Sequence, residues 1–146
     1  MIDGPVVTEL RLPSRLGFEK VAMSTAASVA GLMGFSNDRV EDLKTAVSEA
    51  CINAIEHGNK LNESLSVVVT LAMGADSLEV KIRDQGQGVR QEIQVPDMQR
   101  KIMGEEDPRG MGMFLIQALV DKAEYVSEPA GSYARLVIRL NKGDER

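Results

Sequence analysis

The sequence predicts an α+β fold, a two-layer sandwich in which a mostly antiparallel mixed sheet carries helices on one face. Two observations predict it: several stretches alternate apolar and polar residues with a period of two, and others interleaved with them show helical spacing. A third makes residues 1–146 a single domain, because no repeat, low-complexity stretch or Pro/Ser-rich linker divides them.

Val6 to Leu12 reads as a short strand ended by Pro13. Ser14 is then placed to cap a helix carrying Phe18, Val21, Ala22, Thr25, Val29 and Leu32, with Gly34 as its stop. A second helix starts near Asp38, where Glu41 three residues on completes a capping-box pattern. Its apolar stripe is Val40, Leu43, Val47, Ala50 and Ala54, and Gly58 ends it. Leu65, Val67, Val69, Leu71 and Met73 alternate with smaller or polar neighbours. After the Gly74-Ala75-Asp76 turn, Leu78, Val80 and Ile82 alternate with Glu79, Lys81 and Arg83, giving a β-hairpin with one wet face. From Gln85 to about Arg109 no period holds, and a segment of that length is expected to be a functional loop. Gly112, Leu115, Ile116, Leu119 and Val120 predict a third helix, and Leu136, Ile138 and Leu140 against Arg135 and Arg139 a final strand.

Composition narrows the function. The chain carries 17 Lys+Arg against 22 Asp+Glu, for a net charge of -5, and is 43% hydrophobic but 3% aromatic. With no basic cluster and no interleaved aromatics it lacks the electrostatic footprint of a nucleic-acid binder, so a protein or small-molecule partner is expected. No apolar run approaches the roughly 18 residues of a membrane helix, and Met-Ile-Asp-Gly-Pro lacks the order of a signal peptide, so the chain is expected in the cytoplasm. Cys51 has no cysteine to pair with, and Cys51 with His57 cannot supply a structural zinc site.

Three clusters carry chemistry. By strand parity Asp84 points to the same side as Leu78, Val80 and Ile82, so a carboxylate is aimed at the core. Burying it requires hydrogen-bond donors. Those are either the backbone of its own turn or a ligand such as an exocyclic amine, which Gly86 and Gly88 would let approach closely. On the second helix Glu49, Asn53 and His57 recur every four residues as a polar stripe. An interior asparagine suits a hard cation such as Mg²⁺, which takes few protein ligands and completes its shell from phosphate and water. Glu49, a turn earlier, could then accept a proton from a nucleophile; the plain alternative is a solvated helix face, and that is the reading adopted for His57. Finally Arg109-Gly110-Met111-Gly112 stands where the long loop gives way to a helix, as either a phosphate-binding helix N-terminus or a flexible hinge. It is neither a Walker A loop nor a Rossmann fingerprint.

Taken in order, a helix with Glu-x-x-x-Asn, a strand ending in Asp-x-Gly-x-Gly, a loop of about 20 residues and Gly-x-Gly opening a helix resemble one ATP-binding domain. Gyrase, a major heat-shock chaperone family, histidine kinases and the mismatch-repair protein MutL share that domain and its Bergerat-type fold. Within that superfamily Ala46 to Gly58 and Arg109 to Ile116 are most similar to the two boxes of small bacterial serine kinases of partner-switching systems, which double as anti-sigma factors. The resemblance implies that Asn53 ligates Mg²⁺ between the phosphates of ATP and that Glu49 is the general base toward an acceptor serine. It implies that Asp84 takes the adenine amino group, with Gly86 and Gly88 bordering the base and Ser132 standing where the family commonly has a threonine. Gly110 and Gly112 would offer amides to phosphate around Met111. Pro108 stands where some relatives carry a basic residue, and Arg109 follows it. The loop would be an ATP lid, mobile through Gly104 and Glu105-Glu106-Asp107. The implied partners are an antagonist protein as substrate, a sigma factor or other output protein near Lys20, and a second copy in a homodimer. The competing readings are a non-catalytic nucleotide-gated binding module and a detached histidine-kinase-type ATPase domain.

Overall fold

Alternation builds the sheet as the sequence predicts. Val67, Val69 and Leu71 of β2 (Ser66–Met73) and Leu78, Val80 and Ile82 of β3 (Ser77–Arg83) all turn to one buried face. The computed structural model describes residues 4–86 and 108–140, and of residues 108–111 the helical backbone alone. Gly88 and the expected lid, Gly104 to Asp107 included, lie outside the described residues. With β1 (Val6–Pro13), β4 (Lys122–Val126) and β5 (Tyr133–Arg139), the strands stand in the order β1-β2-β3-β5-β4, and each neighbouring pair is antiparallel. The short β4 has no counterpart in the sequence reading. It has a single well-placed aromatic, Tyr125, and its alternation is too brief to register.

Three α-helices stand among the described residues, α1 (Glu19–Met33), α2 (Asn37–Asn53) and α3 (Pro108–Leu119). The central one is α2, in contact with α1, with α3 and with β3. It inserts Leu43, Ala46, Val47, Ala50 and Cys51 into a core shared with the buried sheet face. Burial pushes the Cys51 thiol up to about 12, with the charge of Glu19 as a lesser cause. An ion pair of 2.6 Å from Arg39 to Asp121 ties the start of α2 to the turn after α3, and the same carboxylate oxygen accepts from the Arg139 amide at 2.6 Å.

Several local expectations change. The buried face of α1 is Ala22, Ala26, Val29 and Ala30, whereas Val21 and Leu32 are exposed. Small side chains let α1 approach α2 closely, so Val21 and Leu32 of the expected stripe turn outward while Ala22 and Val29 stay buried. Ser14 does not cap α1. It is fully buried and donates to the Leu65 carbonyl at 2.7 Å, and Phe18 occupies the cap position with no side-chain bond. The cap of α2 is Ser36, whose hydroxyl accepts from the Arg39 amide at 3.3 Å, and Asp38 lies in the first turn beside the positive end of the helix dipole. Gly34 does end α1, with φ 96°. Beyond Asn53 the chain continues to Gly58 as a π-helical segment, Ala54–Gly58.

The wet face of the sheet is held by charge. Arg135 bridges Glu79 and Glu124, and the carboxylates on either side raise its pKa above the ordinary arginine value, the hydrogen bond to Glu79 first. Arg83 and Lys81 lie over the Tyr133 ring at 4.6 and 5.2 Å.

Candidate nucleotide-binding site

The β3–β5 register pairs Arg83 with Tyr133, so the residues beyond them, Asp84 and Ser132, meet next. The Asp84 amide donates to the Ser132 carbonyl at 2.9 Å. As parity requires, Asp84 is buried, at 2% exposure. Its Oδ1 accepts from the Gly86 amide at 3.1 Å and from the Ser132 amide at 3.2 Å. The turn-capping bond is therefore present, and a bond across the sheet reinforces it. Ser132 is itself buried, with its hydroxyl 3.5 Å from that of Ser127.

Glycine makes this crowding possible. A Cβ on Gly58 would strike the Asp84 carboxylate, one on Gly86 would strike the Gly58 carbonyl, and one on Gly131 would strike the Asp84 carbonyl. Gly131 also has φ 138°, a conformation that side-chain-bearing residues rarely adopt. Three backbone segments thus touch around one carboxylate with no room for a side chain.

Glu49 and Asn53 share a face of α2, as their spacing predicts. Against them stands Gly112 of α3. A Cβ there would lie 2.7 Å from Asn53 Nδ2 and 2.8 Å from Glu49 Oε2. Asn53 is 7% exposed, and its Nδ2 has no hydrogen-bond partner among the described residues. Such an orphan is costly in a finished core and characteristic of a group that bonds a ligand. Arg109, Gly110 and Met111 fall in the first turn of α3, and their side chains lie outside the described residues. His57 lies in the π segment, 3.9 Å from the Glu56 carboxylate. Lys20 is exposed on α1.

Asn53 and Asp84 line one cavity, together with Ala50, Ala54 and Met113 from the helical layer and Ile82, Tyr125 and Ala134 from the sheet. It encloses about 10 Å³, room for roughly one water molecule. Among the described residues no three His, Cys, Asp or Glu side chains gather into a metal cage. A cation beside Asn53 would be held through Oδ1 with phosphate and water filling most of its shell, as is usual for Mg²⁺, so the amide fits Mg²⁺ brought with a nucleotide.

The histidine kinase-like ATPase domain matches residues 12–138. The serine-protein kinase RsbW of Oceanobacillus iheyensis is 36% identical over 118 residues, covering 77% of this chain and 74% of the relative. RsbW of Bacillus subtilis is 30% identical over 118 residues, covering 78% and 74%. The chain belongs to the RsbW family of histidine kinase-like ATPase domains. A solved structure of the RsbU and RsbW domains of Rv1364c from Mycobacterium tuberculosis superimposes with a TM-score of 0.68 at 20% identity. It covers 92% of this RsbW-type chain, which in turn spans 32% of that longer chain, and it shows the shared fold.

Sequence reasoning missed several residues of the site. Asn59 is buried at 2% and holds the Asp84 turn through Gln85, and Gly58 and Gly131 make room for Asp84. The sequence around Asn59 shows only an asparagine directly after a helix-ending glycine, which by itself reads as an ordinary turn. Met113 and Tyr125, which line the cavity, carried none, since each reads as ordinary core.

Proposed function

We propose that the chain is a Mg-ATP-dependent protein serine kinase that phosphorylates a small antagonist protein and, when unphosphorylated antagonist is scarce, sequesters a sigma factor or another output protein. The observation that carries this reading is the buried Asn53 amide beside Glu49 and the opening turns of α3: its orphaned Nδ2 is a donor that a phosphate oxygen would complete, which leaves Oδ1 for the cation.

Each part has a task. Asp84 accepts from the adenine amino group at the inner end of the cavity, with Ser132 beside it. Gly86 and Gly88 border the base. Asn53 is the protein ligand of the cation, and the amides around Arg109, Gly110, Met111 and Gly112 at the start of α3 receive phosphate oxygens. Bound Mg²⁺ would neutralise charge on the transferring phosphoryl group. Glu49 takes the hydroxyl proton of the acceptor serine as that oxygen bonds to the γ-phosphorus and ADP departs. Because the cavity holds roughly one water, admitting a purine moves Met113, and α3 with it, away from α2. That motion relieves the contact of Gly112 with Asn53 and opens the place where phosphate would sit.

The kinase acts in the cytoplasm as a homodimer, and light scattering should then return twice the chain mass. Among the described residues no helix is long and apolar enough to cross a membrane. The outer side of α1, with exposed Lys20 and Val21, and exposed Leu16 in the turn before it offer the antagonist and the output protein a mixed basic and apolar surface.

The test is transfer of labelled γ-phosphate from Mg-ATP into proteins of a lysate from the source cell. Acid-stable label on one small protein is expected, falling on the order of 10²–10⁴-fold in Glu49→Gln, the worth of a general base, while ATP affinity is kept. Absence of label despite ATP binding would contradict the kinase reading in favour of a nucleotide-gated binding module. Acid-labile label would point to histidine instead.

A further inference from the structure

We propose that Asn59 is a positioning residue for nucleobase recognition, fixing the backbone of the Asp84-Gln85-Gly86 turn and so the direction of the Asp84 carboxylate. The inference rests on the reading of Asp84 as the acceptor for the adenine amino group.

One side chain joins three segments. Asn59 Oδ1 accepts from the Gln85 amide at 2.8 Å. Its Nδ2 donates to Ser14 Oγ at 2.8 Å, in the β1–α1 connection, and to the Ser66 carbonyl at 3.0 Å, at the start of β2. Both amide hydrogens and the amide oxygen are used, so the side chain can face only one way. Ser14 is fixed in turn by its bond to Leu65. Gln85 is held from its other end, where Oε1 accepts from the Ser66 amide at 2.6 Å. The residue after Asp84 is thus gripped through its backbone by Asn59 and through its side chain by β2.

The backbone around Asn59 is shaped to present it. The π segment closes with the Asn59 amide donating to the Ala54 carbonyl at 2.8 Å, five residues back. Such wide turns recur at functional sites. Immediately afterwards Lys60 and Leu61 both adopt left-handed conformations, φ 53° and 60°. Both are exposed, and Leu61 is 52% accessible, so burial of their own side chains does not compensate the strain. Consecutive strained residues persist where neighbouring contacts over-determine them, and here the Leu61 amide donates to the Ile55 carbonyl at 2.8 Å and the Asn62 amide to the Asn59 carbonyl at 3.0 Å, beside the three bonds of the Asn59 side chain. The same stretch also sets Gly58 against Asp84. Asn59 does not line the cavity and acts through Gln85.

The test is calorimetric titration of the full chain with ATP and GTP, each with Mg²⁺, for wild type, Asp84→Asn, Asn59→Ala and Ser14→Ala. Asn59→Ala is expected to weaken ATP binding about tenfold, as loss of a buried hydrogen bond implies, and to narrow the ATP-over-GTP preference by a similar factor. Ser14→Ala removes one support of the Asn59 amide and should move both quantities the same way, about two- to threefold. A merely structural Asn59 would lower the binding-competent fraction and the melting temperature while leaving dissociation constants and the ATP-over-GTP ratio unchanged, which would overturn the proposal. Should Asn59→Ala not fold, Ser14→Ala decides by the same criterion. Discrimination lost in Asp84→Asn but intact in the other variants overturns this inference alone. Discrimination intact in Asp84→Asn overturns the adenine reading and this inference with it.

Discussion

The two ends of the proposed nucleotide site are built differently. At the base end Asp84 is buried, bonded to Gly86 and Ser132, and braced through Gln85 by a fully bonded Asn59. At the phosphate end Asn53 keeps a buried donor without a partner among the described residues, and Gly112 presses directly on Asn53 and Glu49. The Asp84 turn is finished before any ligand arrives, although the cavity in front of it must widen to admit a base, whereas the phosphate end is left for a ligand to complete. A rigid acceptor can discriminate one base from another because wrong partners leave it unpaired. An incomplete phosphate end couples tight binding to the presence of a charged, metal-bearing ligand.

Glycine substitutions put the largest strain on this contrast. Gly58→Ala drives a methyl into the Asp84 carboxylate within a region that has no slack. It should cost more than about 3 kcal/mol and abolish ATP binding, since overpacking is worst where neighbours cannot yield. Gly112→Ala places a methyl 2.7 Å from Asn53 Nδ2 and 2.8 Å from Glu49 Oε2, the mobile ends of side chains at an unfinished interface. About 1 kcal/mol is expected there. Urea unfolding of the two variants compares them directly, and equal costs would erase the distinction.

A smaller effect comes from the core beneath α2. Cys51 lies two residues from both Glu49 and Asn53 but faces inward, and burial holds its thiol at about 12 against an ordinary 9.0. Between these values the unfolded chain has lost the proton and the folded chain keeps it, so stability falls as pH rises from about 9. The slope should reach about 1.4 kcal/mol per pH unit. Unfolding at pH 8, 9 and 10 measures it, and Cys51→Ala should flatten the dependence while lowering stability overall. ATP-over-GTP discrimination, set at the base end, should not follow this titration.

How far the sequence speaks follows the same division. The direction of Asp84 was legible because strand parity is strict, and three well-ordered neighbours, Leu78, Val80 and Ile82, set its phase. The pairing of Glu49 with Asn53 was legible from helical spacing alone. Ser14 was misread as a helix cap because a serine after a strand-ending proline fits that role locally. Its actual bonds run to Leu65 and Asn59, 51 and 45 residues away. Asn59 was missed for the same reason, as its partners converge only once β1, β2 and β3 have assembled. On α1 the apolar count favoured Val21 and Leu32, but close approach to α2 favoured alanines. Strand parity at Asp84 and helical spacing on α2 were read correctly, while the bonds of Ser14 and Asn59, which join segments from three strands, were not.

The most direct test is titration of wild type and Asn53→Ala with adenosine, and with ATP in the presence and absence of Mg²⁺. If the Asp84 turn is built in advance and the phosphate end is finished by the ligand, Asn53→Ala should leave adenosine affinity unchanged and remove the Mg²⁺-dependent gain in ATP affinity. Adenosine binding lost together with ATP binding, or a Mg²⁺ dependence that survives the substitution, would contradict the account.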